Sequence, residues 1–125
     1  MIETDTHEIG RNAENLARDY LEQQGLKFRE ANYRCKQGEL DLIMKDHDTI
    51  VFVEVRKRKN DAFGSGCETV QLPKQHKLFQ AATHYLLTHN LYESAYCRFD
   101  IISINDFDHI SWIKNAFERD YSQFV

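Results

Sequence analysis

Gly38-Glu39-Leu40-Asp41-Leu42-Ile43-Met44, then Lys45-Asp46-His47-Asp48-Thr49, then Ile50-Val51-Phe52-Val53-Glu54-Val55-Arg56: the reading of this stretch decides the fold. Two short apolar runs around a polar break are the pattern of a β-hairpin. Successive strand residues point to opposite faces, so Ile50, Phe52, Glu54 and Arg56 share one face of the second strand, and Val51, Val53 and Val55 the other. Both faces are apolar apart from Glu54 and the strand's end, which makes the strand central and covered. In the first strand Leu40, Leu42 and Met44 share one face, and Glu39, Asp41 and Ile43 the other. Matching apolar faces pairs Leu42 with Val53, Leu40 with Val55 and Ile43 with Phe52, and sets Asp41 directly opposite Glu54.

Opposed side chains lie about 4.5 to 5.5 Å apart at Cβ, and like charges there repel. In a covered sheet an ionised carboxylate is costly unless it is paired, protonated or bound to a metal. Oxygen-only ligation by Asp41 and Glu54 points to Mg²⁺ or Mn²⁺ in preference to zinc. The competing reading is that one carboxylate pairs with a nearby Arg or Lys, or that the strand lies at an edge. Glu14 flanks the apolar stripe of the first helix and is either a solvated helix residue or, if that helix packs on the Asp41 and Glu54 face, a third ligand. Asp100 falls with Ile102 and Ile104 on one strand face, as an outer group of the site or the partner of Arg98 or Arg56.

Outward from the hairpin, Ala13, Leu16, Ala17, Tyr20 and Leu21 form the stripe of an amphipathic helix over 12–24, and Gly25 follows as its cap. Residues 27–36 read as a weaker, edge-like strand. Residues 60–72, with Gly64, Ser65 and Gly66, read as a long mobile flap. Pro73 suits the first turn of a second helix whose stripe, Leu78, Ala82, Tyr85 and Leu86, runs to about His89. A strand over 96–104 follows, and a short strand and helix from Trp112 to about Tyr121 would close the chain. The expected class is α/β: one domain over 1–125, a mixed central sheet flanked by helices, in the order helix, three strands, helix, strand, tail.

The 125 residues, 42% of them hydrophobic, suffice for one core and argue against disorder. No apolar run approaches the ~20 residues of a membrane span, and the opening Met1-Ile2-Glu3-Thr4-Asp5-Thr6-His7-Glu8 is acidic where a signal peptide is basic. A soluble cytoplasmic protein without membrane partners is expected. Cys35, Cys67 and Cys97 fit neither a disulfide framework nor a zinc site and read as reduced core residues. The net charge of -4 hides a pattern: -4 over residues 1–26, +3 over 27–92 and -3 over 93–125. Positive charge gathers in Lys27, Arg29, Arg34 and Lys36 and in Arg56-Lys57-Arg58-Lys59. A solvated charge run or a phosphate-binding face would both look like this.

Glu14, Gly38-Glu39-Leu40-Asp41-Leu42-Ile43 and Val51-Phe52-Val53-Glu54-Val55-Arg56 together resemble the signature of the PD-(D/E)XK nuclease superfamily. More closely, with Lys74-Gln75-His76-Lys77-Leu78 and Arg98-Phe99-Asp100-Ile101, the chain from about Ile9 to Phe117 resembles the YraN-like family of bacterial proteins, akin to archaeal Holliday-junction resolvases. The resemblance implies a restriction-endonuclease-like core and metal-dependent hydrolysis of phosphodiester bonds, in DNA ahead of RNA. It makes Asp41 and Glu54 metal ligands, Glu14 an accessory one and Arg56 the fourth catalytic residue. Arg34, Lys36, Lys57, Arg58, Lys74 and Lys77 would hold nucleic-acid phosphates. The chain departs from the superfamily pattern at Arg56, where Lys is usual; Arg cannot act as a base but can grip a phosphate bidentately. Lys74 or Lys77 could bring an ammonium from the second helix instead. A noncatalytic nucleic-acid-binding module on the same fold is the alternative, with a protein-interaction domain behind it. A resolvase would also need two sites, hence a homodimer, though no heptad or exposed apolar stripe marks an interface.

Overall fold

The helical stripe becomes α1, Thr6–Gln23, in the computed structural model of the chain, which describes residues 6–58 and 70–117. The helix begins six residues before the predicted start and ends where Gly25 requires it. At a φ of 99° Gly25 donates its N–H to the Glu22 carbonyl, and Leu26 donates to the Leu21 carbonyl, both at 3.0 Å. This two-bond cap needs a left-handed residue between its donors, and the buried Leu26 then packs in the same cluster as Leu21.

The strands are β1 (Lys27–Cys35), β2 (Gly38–Asp46), β3 (Thr49–Lys57), β4 (Tyr96–Ile104) and β5 (Ile110–Phe117), with α2 (Leu72–Thr88) between β3 and β4. They form one sheet in the order β1-β2-β3-β4-β5. Only the β3/β4 pair is parallel, as a helical crossover between neighbouring strands requires. The sheet is mixed and β1 lies at its edge, as the sequence predicts. The short strand expected from Trp112 is a full fifth strand, starting two residues earlier, at Ile110, and running to Phe117. The expected helix over the last residues to Tyr121 lies outside the described residues, as does most of the expected flap.

Each face carries one helix. On one side Ala13, Ala17 and Leu21 of α1 pack with Leu42, Met44, Val51, Val53, Ile102 and Ile104. On the other, Leu78, Ala81 and Tyr85 of α2 pack with Ile43, Ile50, Phe52, Phe99 and Ile101. Phe52 lies edge-on to Tyr85 at 6.0 Å and tilted on Phe99 at 5.2 Å. The covered hairpin is thus central, and every apolar position of β3 from Ile50 to Val53 is buried.

Among the described residues no helix is long and apolar enough to cross a membrane. The cysteines depart from expectation: Cys97 is exposed at the start of β4 and Cys35 half-buried, both as free thiols, while Cys67 lies outside the described residues. Cys97 stands at the opening of a strand whose burial begins only at Phe99, although partial burial still raises its thiol pKa.

Candidate metal and nucleic-acid site

Asp41 marks the place where the ladders of β2 are interrupted. The β1/β2 register runs through Ala31↔Leu42 and Tyr33↔Leu40 and skips Asp41. The β2/β3 register holds at Ile43↔Phe52 and Leu42↔Val53, as predicted, and ends there, so the expected Leu40–Val55 and Asp41–Glu54 ladder pairs are not formed among the described residues. The reason is a side chain standing in for backbone: Asp41 Oδ2 accepts the Val55 N–H at 2.9 Å. The in-out alternation breaks at the same point, because Leu40 packs in the α2-side core with Ile43, while Leu42 packs in the α1-side core.

Glu54 nevertheless acts on Asp41. Burial first, and the charge of Glu54 second, push the Asp41 carboxyl up to about 7, against the Val55 N–H and the Lys74 charge, which favour its ionised form. Glu54 is 8% exposed, on the face that carries Phe52, and forms an ion pair with Lys74 in the first turn of α2. Pro73 starts that turn and so sets where Lys74 emerges.

α1 packs on the other face from Glu54, contrary to the arrangement that would bring Glu14 in as a direct neighbour. Glu14 still lies within electrostatic reach of Asp41 and Glu54. Burial raises its carboxyl, aided by Glu39 and Glu54, while a hydrogen bond from Asn32 and the charge of Arg34 work the other way. Asn32 is a member of the site that sequence reasoning misses. It sits in β1 at a φ of 53°, a left-handed conformation that Asn tolerates, and no pattern of residue types announces it.

Among the described residues no three His, Cys, Asp or Glu side chains gather closely enough to hold a metal ion by themselves. Asp41 and Glu54 offer carboxylate oxygens, the donor type a hard cation takes. Mg²⁺ is commonly held by one or two carboxylates and keeps several of its waters. The donors here are all oxygen, and after burial the charge of Glu54 is the second cause of the raised proton affinity of Asp41.

Topology collects the candidate cations at the same end of the sheet. The end of β1 carries Arg34 and the β1–β2 turn Lys36, β3 runs out through Arg56, Lys57 and Arg58, and α2 begins with Lys74 and Lys77. Gly38 touches α2 so closely that a Cβ there would lie 3.2 Å from the Lys77 carbonyl oxygen. Arg34 is largely exposed, 3.3 Å from Glu39, and Lys57 lies 3.9 Å from Asp108. Lys36 and Lys77 are exposed, whereas Arg56 and Arg58 are half-buried and have partners of their own. Arg58 also extends the β3/β4 pairing by donating its N–H to the Ile104 carbonyl at 2.8 Å.

Asp100 belongs elsewhere. It is fully buried on β4 and accepts from Arg98 Nε at 3.0 Å, Trp112 Nε1 at 3.0 Å and the Asn115 N–H at 2.9 Å. Arg98 Nη1 also reaches Asp46 at 3.0 Å. Of the two partners foreseen for Asp100, Arg98 is the one present, and the network ties β5 to β4.

The sequence pattern of the uncharacterised protein family UPF0102 matches residues 13–104. The chain belongs to this family. UPF0102 proteins of Coxiella burnetii, Stutzerimonas stutzeri and Legionella pneumophila are similar to it along nearly their whole length. The first is 48% identical over 116 residues, covering 93% of this chain and 97% of the relative. The second is 43% identical over 118 residues (92% and 98%), and the third 42% over 114 residues (90% and 97%). The matched span holds Glu14, Asn32, Asp41, Glu54 and Lys74, the acidic centre of the candidate site and its counter-charge.

Proposed function

We propose that this UPF0102 protein is a metal-dependent nuclease that hydrolyses phosphodiester bonds of DNA, choosing its substrate by structure and not by base sequence. The observation that carries the reading is the covered pair Asp41 and Glu54 at an interrupted ladder, the first with its proton affinity raised by burial and by the second. The order helix, three strands, helix, strand around a mixed sheet supports a restriction-endonuclease-like core of the PD-(D/E)XK kind.

Asp41 and Glu54 would hold Mg²⁺ or Mn²⁺, with Glu14 as an outer carboxylate braced by Asn32. When bound, such a cation lowers the pKa of water and neutralises charge that grows on a phosphate. The Val55 N–H fixes one oxygen of Asp41, and the other would serve the cation. Arg56, two residues beyond Glu54, braces a phosphate and takes no proton, because a guanidinium stays charged at any working pH. Arg34, Lys36, Lys57, Arg58 and Lys77 supply sequence-independent backbone contacts. Selectivity would come from the shape and deformability of the nucleic acid and not from its base edges.

One observation favours a second reading. The Lys74 ion pair already neutralises Glu54, as it would in a noncatalytic nucleic-acid-binding module. A panel of labelled branched, nicked and single-stranded DNA and RNA, incubated with Mg²⁺, Mn²⁺ or EDTA, separates the two. Cutting that needs the metal supports the nuclease, binding without cutting supports the module, and neither would remove both.

A further inference from the structure

An ionised carboxylate as covered as Glu54 needs a counter-charge. Lys74 supplies it, and the two ends of this ion pair differ: the Glu54 side chain is 9% exposed, the Lys74 side chain 53%. A fixed acid is therefore joined to a compact ammonium on a flexible four-carbon stem that has a route to water. The Lys74 charge is also felt at Asp41, more weakly than that of Glu54. An ammonium and a divalent cation compete for the same carboxylate lone pairs and repel each other at contact distance. At Oε1, the oxygen the ammonium holds, the two exclude each other.

We propose that Lys74 is the exchangeable counter-ion of the carboxylate pair: its ammonium holds Glu54 until a divalent cation takes that position, and then turns to a phosphate of the nucleic acid. The inference rests on the nuclease reading of the site. A permanent structural salt bridge would behave differently, since it would contribute equally with and without metal.

The test is a set of thermal melts of wild type, Lys74→Met, Lys74→Arg and Asp41→Asn, each in EDTA and in saturating Mn²⁺, with Mn²⁺ affinity read from the shift. Lys74→Met should melt below wild type in EDTA, and the gap should close in Mn²⁺. By linkage its Mn²⁺ affinity should then rise, roughly tenfold for an ion pair with one covered member. It should cut with a reduced kcat even when Mn²⁺ saturates, and Lys74→Arg should restore both the wild-type melt in EDTA and part of the kcat. A gap of equal size in EDTA and Mn²⁺ would overturn the exchange and leave a fixed salt bridge. If wild type and Asp41→Asn respond to Mn²⁺ alike, the nuclease reading falls first and this inference with it. Should Lys74→Met not fold, wild type alone decides: acylation of the Lys74 amine, followed by mass spectrometry, should quicken when Mn²⁺ is added, and an unchanged rate would contradict the exchange.

Discussion

Asp41→Asn removes the charge that burial and Glu54 both oppose, and it keeps an amide oxygen to accept the Val55 N–H. The sign follows from the direction of the shift. An acid whose folded pKa is raised, here from 3.8 to about 7, binds its proton more tightly in the folded state. It therefore costs no stability below about pH 4, costs progressively more as pH rises towards 7, and costs the full amount above that. The displacement from 3.8 to about 7 sets a ceiling of about 4 kcal/mol. Solvent screening of a partly exposed carboxylate lowers this, and the weaker hydrogen bond that a neutral amide accepts from Val55 offsets about 1 kcal/mol. The net gain expected for the metal-free protein at pH 8 is on the order of 2 kcal/mol, or about 8 °C in Tm for a chain of this size. Scanning calorimetry in EDTA at pH 8 and pH 4.5 measures it, and most of the gain should be lost at the lower pH. A mutant that melts below wild type at pH 8, or whose gain is the same at both pH values, would show that Asp41 carries no unfavourable charge.

Three further substitutions have defined outcomes. Asp100→Asn leaves the part-buried Arg98 with Asp46 as its one charged partner among the described residues and should cost about 3 kcal/mol, read as a lower urea midpoint with an unchanged m value. Gly38→Ala presses a methyl to 3.2 Å from the Lys77 carbonyl oxygen and should cost about 1 kcal/mol while displacing the turn of α2 that carries Lys74, so stability and metal-dependent activity should fall together. Reversing Lys36 and Lys77 to Glu should flatten the slope of log affinity against log salt for duplex DNA by roughly 0.9 for each phosphate no longer neutralised, measured by fluorescence anisotropy; an unchanged slope would take this end of the sheet out of the interface.

The hairpin and its register were legible because a one-residue slip between β2 and β3 would set apolar side chains against polar ones. The two helices were legible for a similar reason, each having a stripe of period 3.6 and a punctuating Gly25 or Pro73. What alternation cannot encode is a side chain replacing a backbone acceptor. The ladder end at Asp41 and the change of face at Leu40 both come from the Asp41–Val55 bond. The full length of the fifth strand is hidden in the sequence because its anchors are distant: Trp112 and Asn115 are held by Asp100 across the sheet, and the short run around Trp112 has no strong alternation of its own. Sequence left Lys74 and Lys77 equivalent as sources of an ammonium. The rotation of α2 separates them, placing Lys74 on Glu54 and the backbone of Lys77 against Gly38.

Whether Asp41 and Glu54 form a cation site is decided by calorimetric titration of Mn²⁺ into the protein without nucleic acid. Saturable binding at a single site is expected in wild type, weaker binding in Glu54→Gln and none in Asp41→Asn. No heat of binding in wild type, or a titration of Asp41→Asn that overlays it, would mean that the carboxylate pair holds no cation.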